Sequence, residues 1–232
     1  MAEQLVFELA TPDPPSFANF LAGGNGEALA AVKAMAAGQA AETGVVLWGA
    51  AGSGKSHLLH AAIGAAEARG ATAALVAQPD LLLTQEPELL ATNGIVAIDD
   101  IHLAGPVAQA RLFTLFNHLR ERGGHLLVAT PIPLASLSLR EDLRTRLGWG
   151  LVYELLPLAD TDKPAALAAF ARQRGFRLAD EVIGYLLVHG RRDLPALLTT
   201  LAALDRHSLA TKRLITVPLL REWLQREIGF DS

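Results

Sequence analysis

The sequence contains no cysteine, and this absence excludes several kinds of site at once. Without thiols the chain can form no disulfide, no thiolate zinc site and no cysteine nucleophile. It also has no run of about 18 uncharged apolar residues, and no basic start of the kind that a secretory signal needs. These absences predict a protein of the reducing cytoplasm that neither spans a membrane nor is exported.

Charged residues and lysine are also scarce. Charged residues make up 19% of the 232 residues, whereas 51% are hydrophobic, so the chain can bury a large core and general disorder is excluded. The net charge of −4 argues against strong attraction of a polyanion such as DNA. Only four of the 20 basic residues are lysine, and one of them carries the strongest functional signal in the sequence.

Short apolar runs separated by helical stretches predict an α/β fold. The runs are nearly all apolar, which is typical of strands buried on both faces of a parallel sheet. Helices between the runs would cover both sides of that sheet. The predicted strands are 45–48, 73–76, 95–98 and 126–129, and the predicted helices between them are 54–69, 80–92 and 106–122.

The two flanks of this core have different patterns. Residues 10–26 are rich in proline, glycine and asparagine, which predicts an extended arm laid onto the core. No strand-like run follows residue 157, and the remaining segments predict a small all-helical domain: 160–175, 179–189, 193–210 and 218–227. The predicted boundaries are a tail at 1–9, the α/β core at 10–158 and the helical domain at 159–232.

Residues 49–56 match the phosphate-binding pattern G-x-x-x-x-G-K-[ST], between a predicted strand and a predicted helix. The glycines let successive backbone N–H groups turn towards phosphate oxygens, and the start of the helix adds its positive end. Lys55 would reach the β- and γ-phosphates, and the Ser56 hydroxyl would bind Mg²⁺. The alternative is a glycine-rich turn with an unrelated lysine. The predicted nucleotide-binding residues of this P-loop are Gly49, Gly52, Ser53, Gly54, Lys55, Ser56 and His57.

Two carboxylates, Asp99 and Asp100, follow the predicted strand 95–98. They lie at the edge where open parallel sheets bind ligands. Asp99 would hold the metal ion together with Ser56, and Asp100 would orient or deprotonate the attacking water. A pair of acids that only ends a turn is the alternative.

Two other catalytic patterns are absent from the sequence. His57 and His60 are spaced as neighbours on a helix, but they lack the glutamate of an H-E-x-x-H motif. No G-x-S-x-G elbow occurs either. Zinc-protease and serine-hydrolase chemistry are therefore not supported.

Arginines cluster at two places in the second half of the chain. Arg140, Arg144 and Arg146 lie on one short predicted helix that Gly148 ends. Three arginines so close together cannot all be buried, so some of them face solvent, an acidic partner or a phosphate. Arg192 opens a helix in the predicted helical domain, where it would either contact a nucleotide phosphate or lie on the surface.

In chain order, these segments resemble the AAA+ ATPases of the bacterial replication-initiator family, to which DnaA belongs. The chain is more similar to the short members of that family, which inactivate DnaA. The resemblance implies an AAA+ P-loop core, with a parallel sheet flanked by helices, followed by a helical lid domain. It rests on six segments: 17–20 with 24–25, 54–60, 98–102, 143–150, 156–158 with 162–163, and 192–194.

The resemblance also implies roles for single residues. Arg146 would be an arginine finger, which enters the active site of a neighbouring molecule. Arg192 would be a nucleotide sensor in the lid. Asp99 and Asp100 would form the Walker B pair of acids beside the P-loop.

The family pattern further implies contacts to the base and to the γ-phosphate. Phe20 and Asn25 fall where the arm of this family approaches the adenine. The family places a polar first sensor before an Asp-Arg-Pro segment, whereas this chain has Thr130 as the only polar candidate, within 129–133. This departure predicts weak or no intrinsic ATPase activity.

The tail is similar to the short peptides that bind the bacterial sliding clamp, the β subunit of DNA polymerase III. The matching residues are Gln4, Leu5, Phe7 and Leu9. The glutamine amide would hydrogen-bond at a pocket rim while the apolar side chains anchor in a groove. A first strand or a frayed tail is the alternative.

Only two residues follow Phe230, so the helix-turn-helix DNA domain of the initiator is not expected, nor is sequence-specific DNA binding.

These features lead to one main functional hypothesis. The protein would bind ADP or ATP with Mg²⁺, attach to the sliding clamp, and stimulate hydrolysis of DnaA-bound ATP through Arg146. Hydrolysis would convert the initiator to its inactive ADP form. The alternatives are an autonomous AAA+ ATPase, such as a helicase loader, and a scaffold whose nucleotide is purely structural. Self-association of the protein stays open.

Overall fold

The computed structural model of the chain describes residues 14–191 and 193–228. They divide into two compact units. One unit spans Pro14–Leu158, and the other contains the described residues from Ala159 onward. Within the described residues, no helix is both long and apolar enough to cross a membrane.

A five-stranded sheet forms the centre of the first unit, with strand order β2-β3-β4-β1-β5 and every neighbouring pair parallel. Because β4 lies between β1 and β3, the carboxyl ends of these three strands share one edge of the sheet. The P-loop follows β1 and the two aspartates follow β3, so the topology places both at that edge. The strands are β1 (Gly44–Trp48), β2 (Ala73–Val76), β3 (Ile95–Ile98), β4 (His125–Thr130) and β5 (Leu151–Glu154).

Helices cover both faces of the sheet, as the apolar runs predict. Side chains of one strand alternate between the faces, so Val46 joins one hydrophobic core while Val45 and Leu47 join the other. The first core is completed by α3, α4 and α5, and the second by α1 and α2. The helices of this unit are α1 (Gly26–Ala36), α2 (Lys55–Ala68), α3 (Pro87–Leu90), α4 (Pro106–Arg122) and α5 (Glu141–Gly148).

One predicted helix of the core is wrong. The sequence pattern predicts a continuous helix over 80–92, but the structure has a 3₁₀ turn at Pro79–Leu83 and then the short helix α3. Pro87 is the first residue of α3, and a proline lacks the N–H that a helix continuing through this position would need. The proline therefore begins a new helix instead of extending the old one.

Two elements of the core are not predicted by the sequence pattern. α1 begins directly after Asn25, next to the glycine-rich arm. β5 is an edge strand in which Leu151 and Tyr153 pack on the core while Val152 and Glu154 are exposed. A four-residue strand that is buried on only one face does not form a fully apolar run, so the apolar pattern does not predict it.

The second unit is a helical domain, as predicted, and its helix boundaries differ from the predicted ones by at most three residues. A leucine-rich core holds the helices together, and Arg174 forms a buried ion pair with Asp205 at 3.1 Å. The Asp193 side chain accepts a hydrogen bond from Ala196 N at 2.9 Å and so caps one helix. The helices are α6 (Lys163–Gln173), α7 (Asp180–His189), α8 (Leu194–Thr211) and α9 (Val217–Ile228).

Candidate nucleotide-binding site and the arginine helix

The P-loop backbone is shaped by glycines that no other residue could replace without a shift. Gly49 has φ 152°, and a Cβ atom there would lie 2.3 Å from the backbone oxygen of Leu155. Gly54 has φ 98°, and a Cβ atom there would lie 2.7 Å from the Phe20 ring. Gly54 is also the residue before α2, so the loop opens directly onto the positive end of that helix.

Lys55 lies buried inside the loop. Its Nζ donates hydrogen bonds to the carbonyl oxygens of Gly49 at 2.7 Å and Ala50 at 2.9 Å. Burial lowers the pKa of Lys55 from its usual value, while the charges of Asp99 and Asp100 act in the opposite direction. A phosphate bound in the loop is an anion, so it would offset the desolvation of the Lys55 ammonium group.

The P-loop and the end of β3 are joined by one short hydrogen bond. Ser56 Oγ donates to Asp99 Oδ2 at 2.5 Å, and the second carboxylate oxygen accepts from Asp100 N at 2.9 Å. A hydroxyl and a carboxylate placed together are ligands that suit Mg²⁺. The predicted pairing of Ser56 with Asp99 is therefore present as a geometry, and metal binding stays a prediction.

Asp100 has a different environment from Asp99. Its backbone is left-handed, with φ 50°, a conformation that aspartate tolerates better than most residues. Its carboxylate is half exposed and lies 3.7 Å from His102 Nδ1. The two acids thus point to different partners, which fits one metal-binding group and one group free to meet a water.

Two buried hydroxyls beside the loop have no partner among the described residues, Ser53 Oγ and Thr130 Oγ1. Thr130 is the last residue of β4, next to Trp48 in register, and its carbonyl accepts from Gly49 N at 3.2 Å. Leaving buried polar atoms unpaired is costly, and such atoms are typical of sites that receive a ligand or water. The residues present therefore fit a phosphate group held in this loop.

The arm before α1 packs directly on the P-loop. His57 Nε2 donates to the Ser16 carbonyl at 3.0 Å, and the rings of Phe20 and His57 lie 5.4 Å apart. Burial lowers the pKa of His57, partly opposed by this hydrogen bond and assisted by the charge of His60. His57 therefore anchors the arm, a contact that the sequence motif alone does not show.

Asn25 ties the end of the arm to the segment after β5. Its side-chain nitrogen donates to the Leu156 carbonyl at 2.9 Å, and its side-chain oxygen accepts from Leu156 N at 2.8 Å. The amide is buried. The predicted approach of Phe20 and Asn25 to an adenine base is not tested by these contacts.

The three arginines predicted to lie on one helix have different surroundings: Arg144 and Arg146 lie on α5, and Arg140 directly precedes it. Arg140 forms an exposed ion pair with Asp142 at 2.6 Å. Within the described part of the chain, Arg144 and Arg146 form no ion pair. The Arg146 guanidinium instead lies 4.2 Å from the Trp149 ring centre and 5.6 Å from that of Phe113, in an open depression of about 720 Å³.

Gln109 holds the start of α5 in place, a role that is not predicted from the sequence. Its side-chain nitrogen donates to the carbonyls of Ala104 and Ser138, and its oxygen accepts from Arg140 N at 2.8 Å. The signal in the sequence is a polar residue within the apolar stripe of α4, whose buried members are Ala108, Gln109, Leu112, Leu115, Phe116 and Leu119. A buried polar side chain with three backbone partners links the segment after Asp100 to the arginine helix.

Five predicted residues lie outside the described part of the chain. They are the tail residues Gln4, Leu5, Phe7 and Leu9, and the predicted lid sensor Arg192.

Comparisons with known proteins agree with this geometry. Domain III of DnaA from Thermotoga maritima has a TM-score of 0.82 and 21% identity, over 93% of this chain and 97% of that one. AMPPCP-bound DnaA from Aquifex aeolicus has a TM-score of 0.72 and 22% identity, over 82% of this chain and 65% of that one. The RuvB branch migration motor from Thermotoga maritima has a TM-score of 0.70 and 16% identity, over 92% of this chain and 72% of that one.

The parallel sheet, the P-loop after β1 and the helical second unit form the fold that the sequence predicts, and the DnaA and RuvB structures share this fold. Residues 160–224 match the family described as the lid domain of Hda. The chain therefore has the fold of DnaA domain III, and its second unit is similar to the lid domain of Hda. The resemblance noted from the sequence is confirmed.

Proposed function

We propose that this protein stimulates hydrolysis of ATP bound to a partner AAA+ protein of the DnaA type, through Arg146. The observation that carries the proposal is the environment of Arg146. Its guanidinium has no ionic partner in the described residues and lies over the rings of Trp149 and Phe113. The match of the second unit to the Hda lid supports a regulator related to DnaA.

The protein's own P-loop would hold an adenine nucleotide. A solved DnaA of similar fold contains AMPPCP, which supports the same ligand class here. Lys55 and the backbone amides of the loop would bind its phosphates, and Ser56 with Asp99 would hold Mg²⁺. The bound nucleotide would supply the negative charge that balances the buried ammonium group of Lys55.

Slow hydrolysis of the protein's own nucleotide is part of the proposal. Thr130 is the polar residue at the end of β4, and its side chain is fully buried. A buried threonine carries no charge towards a γ-phosphate, unlike an arginine. The protein would then keep its nucleotide, preferably ADP, as a ligand that stabilises the loop.

On the partner, Arg146 would act on ATP as the substrate. Water attacks the γ-phosphorus, the bond to the leaving ADP oxygen breaks, and the products are ADP and phosphate. The guanidinium donates charge-assisted hydrogen bonds to the phosphoryl oxygens as negative charge shifts to the leaving group. Arginine fingers accelerate this reaction in other systems by about 10³- to 10⁵-fold.

The tail would bring the protein to its partner. Gln4, Leu5, Phe7 and Leu9 supply the amide and the apolar side chains that a clamp-binding peptide uses. Binding to a clamp on DNA would raise the local concentration of the protein near DNA-bound DnaA.

The experiment follows ADP formation from DnaA–ATP in the presence of the protein and DNA-loaded sliding clamp. Arg146→Ala is expected to abolish the stimulation. Arg144→Ala, on the same helix and also without an ion pair among the described residues, is the matched control and is expected to retain most of it. Equal activity of the Arg146→Ala variant and the unaltered protein would contradict the finger role.

A second experiment isolates the tail. Deletion of residues 1–9 is expected to remove the stimulation that depends on the clamp and to leave the thermal unfolding midpoint unchanged. Full stimulation after the deletion would show that these residues are not the tether.

An autonomous ATPase is the second candidate, because Lys55, Ser56 and Asp99 are arranged as a working nucleotide site. Steady ATP turnover by the protein alone, lost in the Lys55→Ala variant, would favour it over the regulator.

A further inference from the structure

We propose that Trp149, together with Phe113, is a positioning residue that holds the Arg146 guanidinium ready for a phosphate. The proposal rests on the function proposed above for Arg146. It adds that the finger is ordered by ring faces within this chain before any partner is bound.

The contacts of Arg146 come from two elements. Phe113 lies on α4 and packs against the hydrophobic core, so its ring is a fixed surface. Trp149 directly follows α5 as its C-cap residue, and its backbone N–H donates to the Arg146 carbonyl at 3.2 Å. The spacing of three residues places both side chains on one side of the helix. The Arg120 guanidinium also lies over the Trp149 ring, 5.0 Å from its centre, which further fixes the indole.

Stacking leaves the hydrogen-bond donors of the arginine free. A guanidinium lying on a ring uses its flat face, whereas its N–H groups point outward in its own plane. A carboxylate partner would occupy those same N–H groups, as Asp142 does for Arg140 at the start of α5. Trp149 and Phe113 can therefore order Arg146 without competing with the phosphate oxygens that it is proposed to bind.

Ordering in advance lowers the cost of reaching the transition state. A free arginine side chain loses much rotational freedom when it is fixed. Rings that already restrict it remove part of that loss, so a larger fraction of complexes has the finger in place. Trp149 should then affect the rate within the complex and not the formation of the complex.

Trp149 is 54% exposed, so a direct contact with the partner is the competing explanation. The two explanations predict different kinetics. A positioning residue changes the rate of ATP hydrolysis at saturating concentrations of the protein. A contact residue changes the concentration of protein that gives the half-maximal rate.

The test measures both quantities for Trp149→Leu and Trp149→Phe, in the assay with DnaA–ATP and DNA-loaded clamp. We expect Trp149→Leu to lower the saturating rate by about two- to fivefold, which corresponds to one exposed cation–π contact, with the half-saturating concentration unchanged. Trp149→Phe should restore most of the rate because it keeps a ring face. An unchanged or higher saturating rate, or a change in the half-saturating concentration alone, would overturn the proposal.

A spectroscopic measurement on the protein alone tests the contact without any partner. Loss of the stacked guanidinium in Arg146→Met should change the intrinsic tryptophan fluorescence. The same substitution in a Trp149→Phe background should change nothing. Identical spectra for the unaltered protein and Arg146→Met would overturn the stack itself.

The outcomes separate this proposal from the one on which it rests. If Arg146→Ala leaves ADP formation unchanged, the function proposed for Arg146 is wrong and the positioning role falls with it. If Arg146→Ala abolishes stimulation while Trp149→Leu keeps the full saturating rate, only the positioning role is wrong.

Discussion

Lys55 in the P-loop and Arg146 on α5 are surrounded in opposite ways. Lys55 is buried, and its ammonium group donates to two carbonyl oxygens of its own loop. Arg146 lies in an open depression between the rings of Trp149 and Phe113, with its N–H donors unoccupied by any carboxylate of the described residues.

This difference indicates which kind of ligand Lys55 and Arg146 are each suited to bind. The buried ammonium group of Lys55, beside the carbonyl oxygens of its own loop, suits a ligand that binds in that loop. The loop and the ligand would then share one set of buried hydrogen bonds. A partly exposed guanidinium ordered by ring faces suits a ligand that is held by another molecule. Substitutions can test the P-loop, the surroundings of Arg146 and the contacts that hold both in place.

The largest effect is expected from Gly49→Ala. The added Cβ would lie 2.3 Å from a backbone oxygen, in a conformation with φ 152°, so the loop itself must move. We expect affinity for ADP to fall by about 100-fold or more and the melting temperature to fall by several degrees. Titration calorimetry and thermal unfolding measure the two effects.

Gly64→Ala is the matched control for this substitution. Gly64 lies inside α2, and a Cβ there would meet nothing within 4 Å. This variant should bind ADP normally and be more stable by about 0.5–1 kcal/mol, because alanine is the better helix former. Equal losses of ADP affinity in both variants would contradict the account of the loop.

Lys55→Met is expected to reduce affinity for ADP by about 100-fold, since charge-assisted hydrogen bonds to phosphate are lost. Stimulation of the partner should fall only at ADP concentrations too low to fill the altered site. Calorimetry with ADP, followed by the partner assay at low and high ADP concentrations, distinguishes the role of Lys55 from that of Arg146. Loss of stimulation at every ADP concentration would contradict separate roles for Lys55 and Arg146.

Gln109→Met should destabilise the protein by about 2–3 kcal/mol, because three backbone groups near the start of α5 lose a buried partner. Denaturant unfolding measures the change. Gln39→Met, at an exposed position, is the control and should lie within about 0.5 kcal/mol of the unaltered protein. A loss as small as that of the control would mean that Gln109 is not the link between α4 and α5.

The smallest effect concerns His57, whose pKa is lowered by burial. The unfolded chain takes up a proton on this histidine at a higher pH than the folded protein does. The free energy of unfolding should therefore be highest above about pH 6.5 and decrease as the pH falls through that region. Unfolding measured from pH 7.5 to 5.5 should show a shallower decrease in His57→Gln, and an identical slope would contradict the burial effect.

The sequence predicts the P-loop site better than the surroundings of Arg146. The P-loop residues and Asp99 are close in sequence to strands that apolar runs reveal, and parallel strands end at a common edge, so their meeting can be inferred. The contact of Phe20 with Gly54 cannot, because it depends on how the arm folds back over the loop. The helical second unit is predicted for a similar reason, since its helices have clear breaks.

The surroundings of α5 depend on contacts that no local pattern encodes. Arg140, Arg144 and Arg146 look equivalent in the local sequence pattern, and in the structure the ring contacts with Trp149 and Phe113 distinguish Arg146. Gln109 is visible as a polar residue in an apolar stripe, but its partners are not. β5 is missed because an edge strand buried on one face lacks a full apolar run.

The most direct test of the central claim is the rate of ADP formation from DnaA–ATP at saturating protein and DNA-loaded clamp, with bound ADP confirmed in each variant. We predict that Arg146→Ala binds ADP normally and reduces the stimulated rate to the level of DnaA alone, whereas Arg144→Ala retains most of the stimulation. A stimulated rate that is the same with and without the Arg146 guanidinium would contradict the claim.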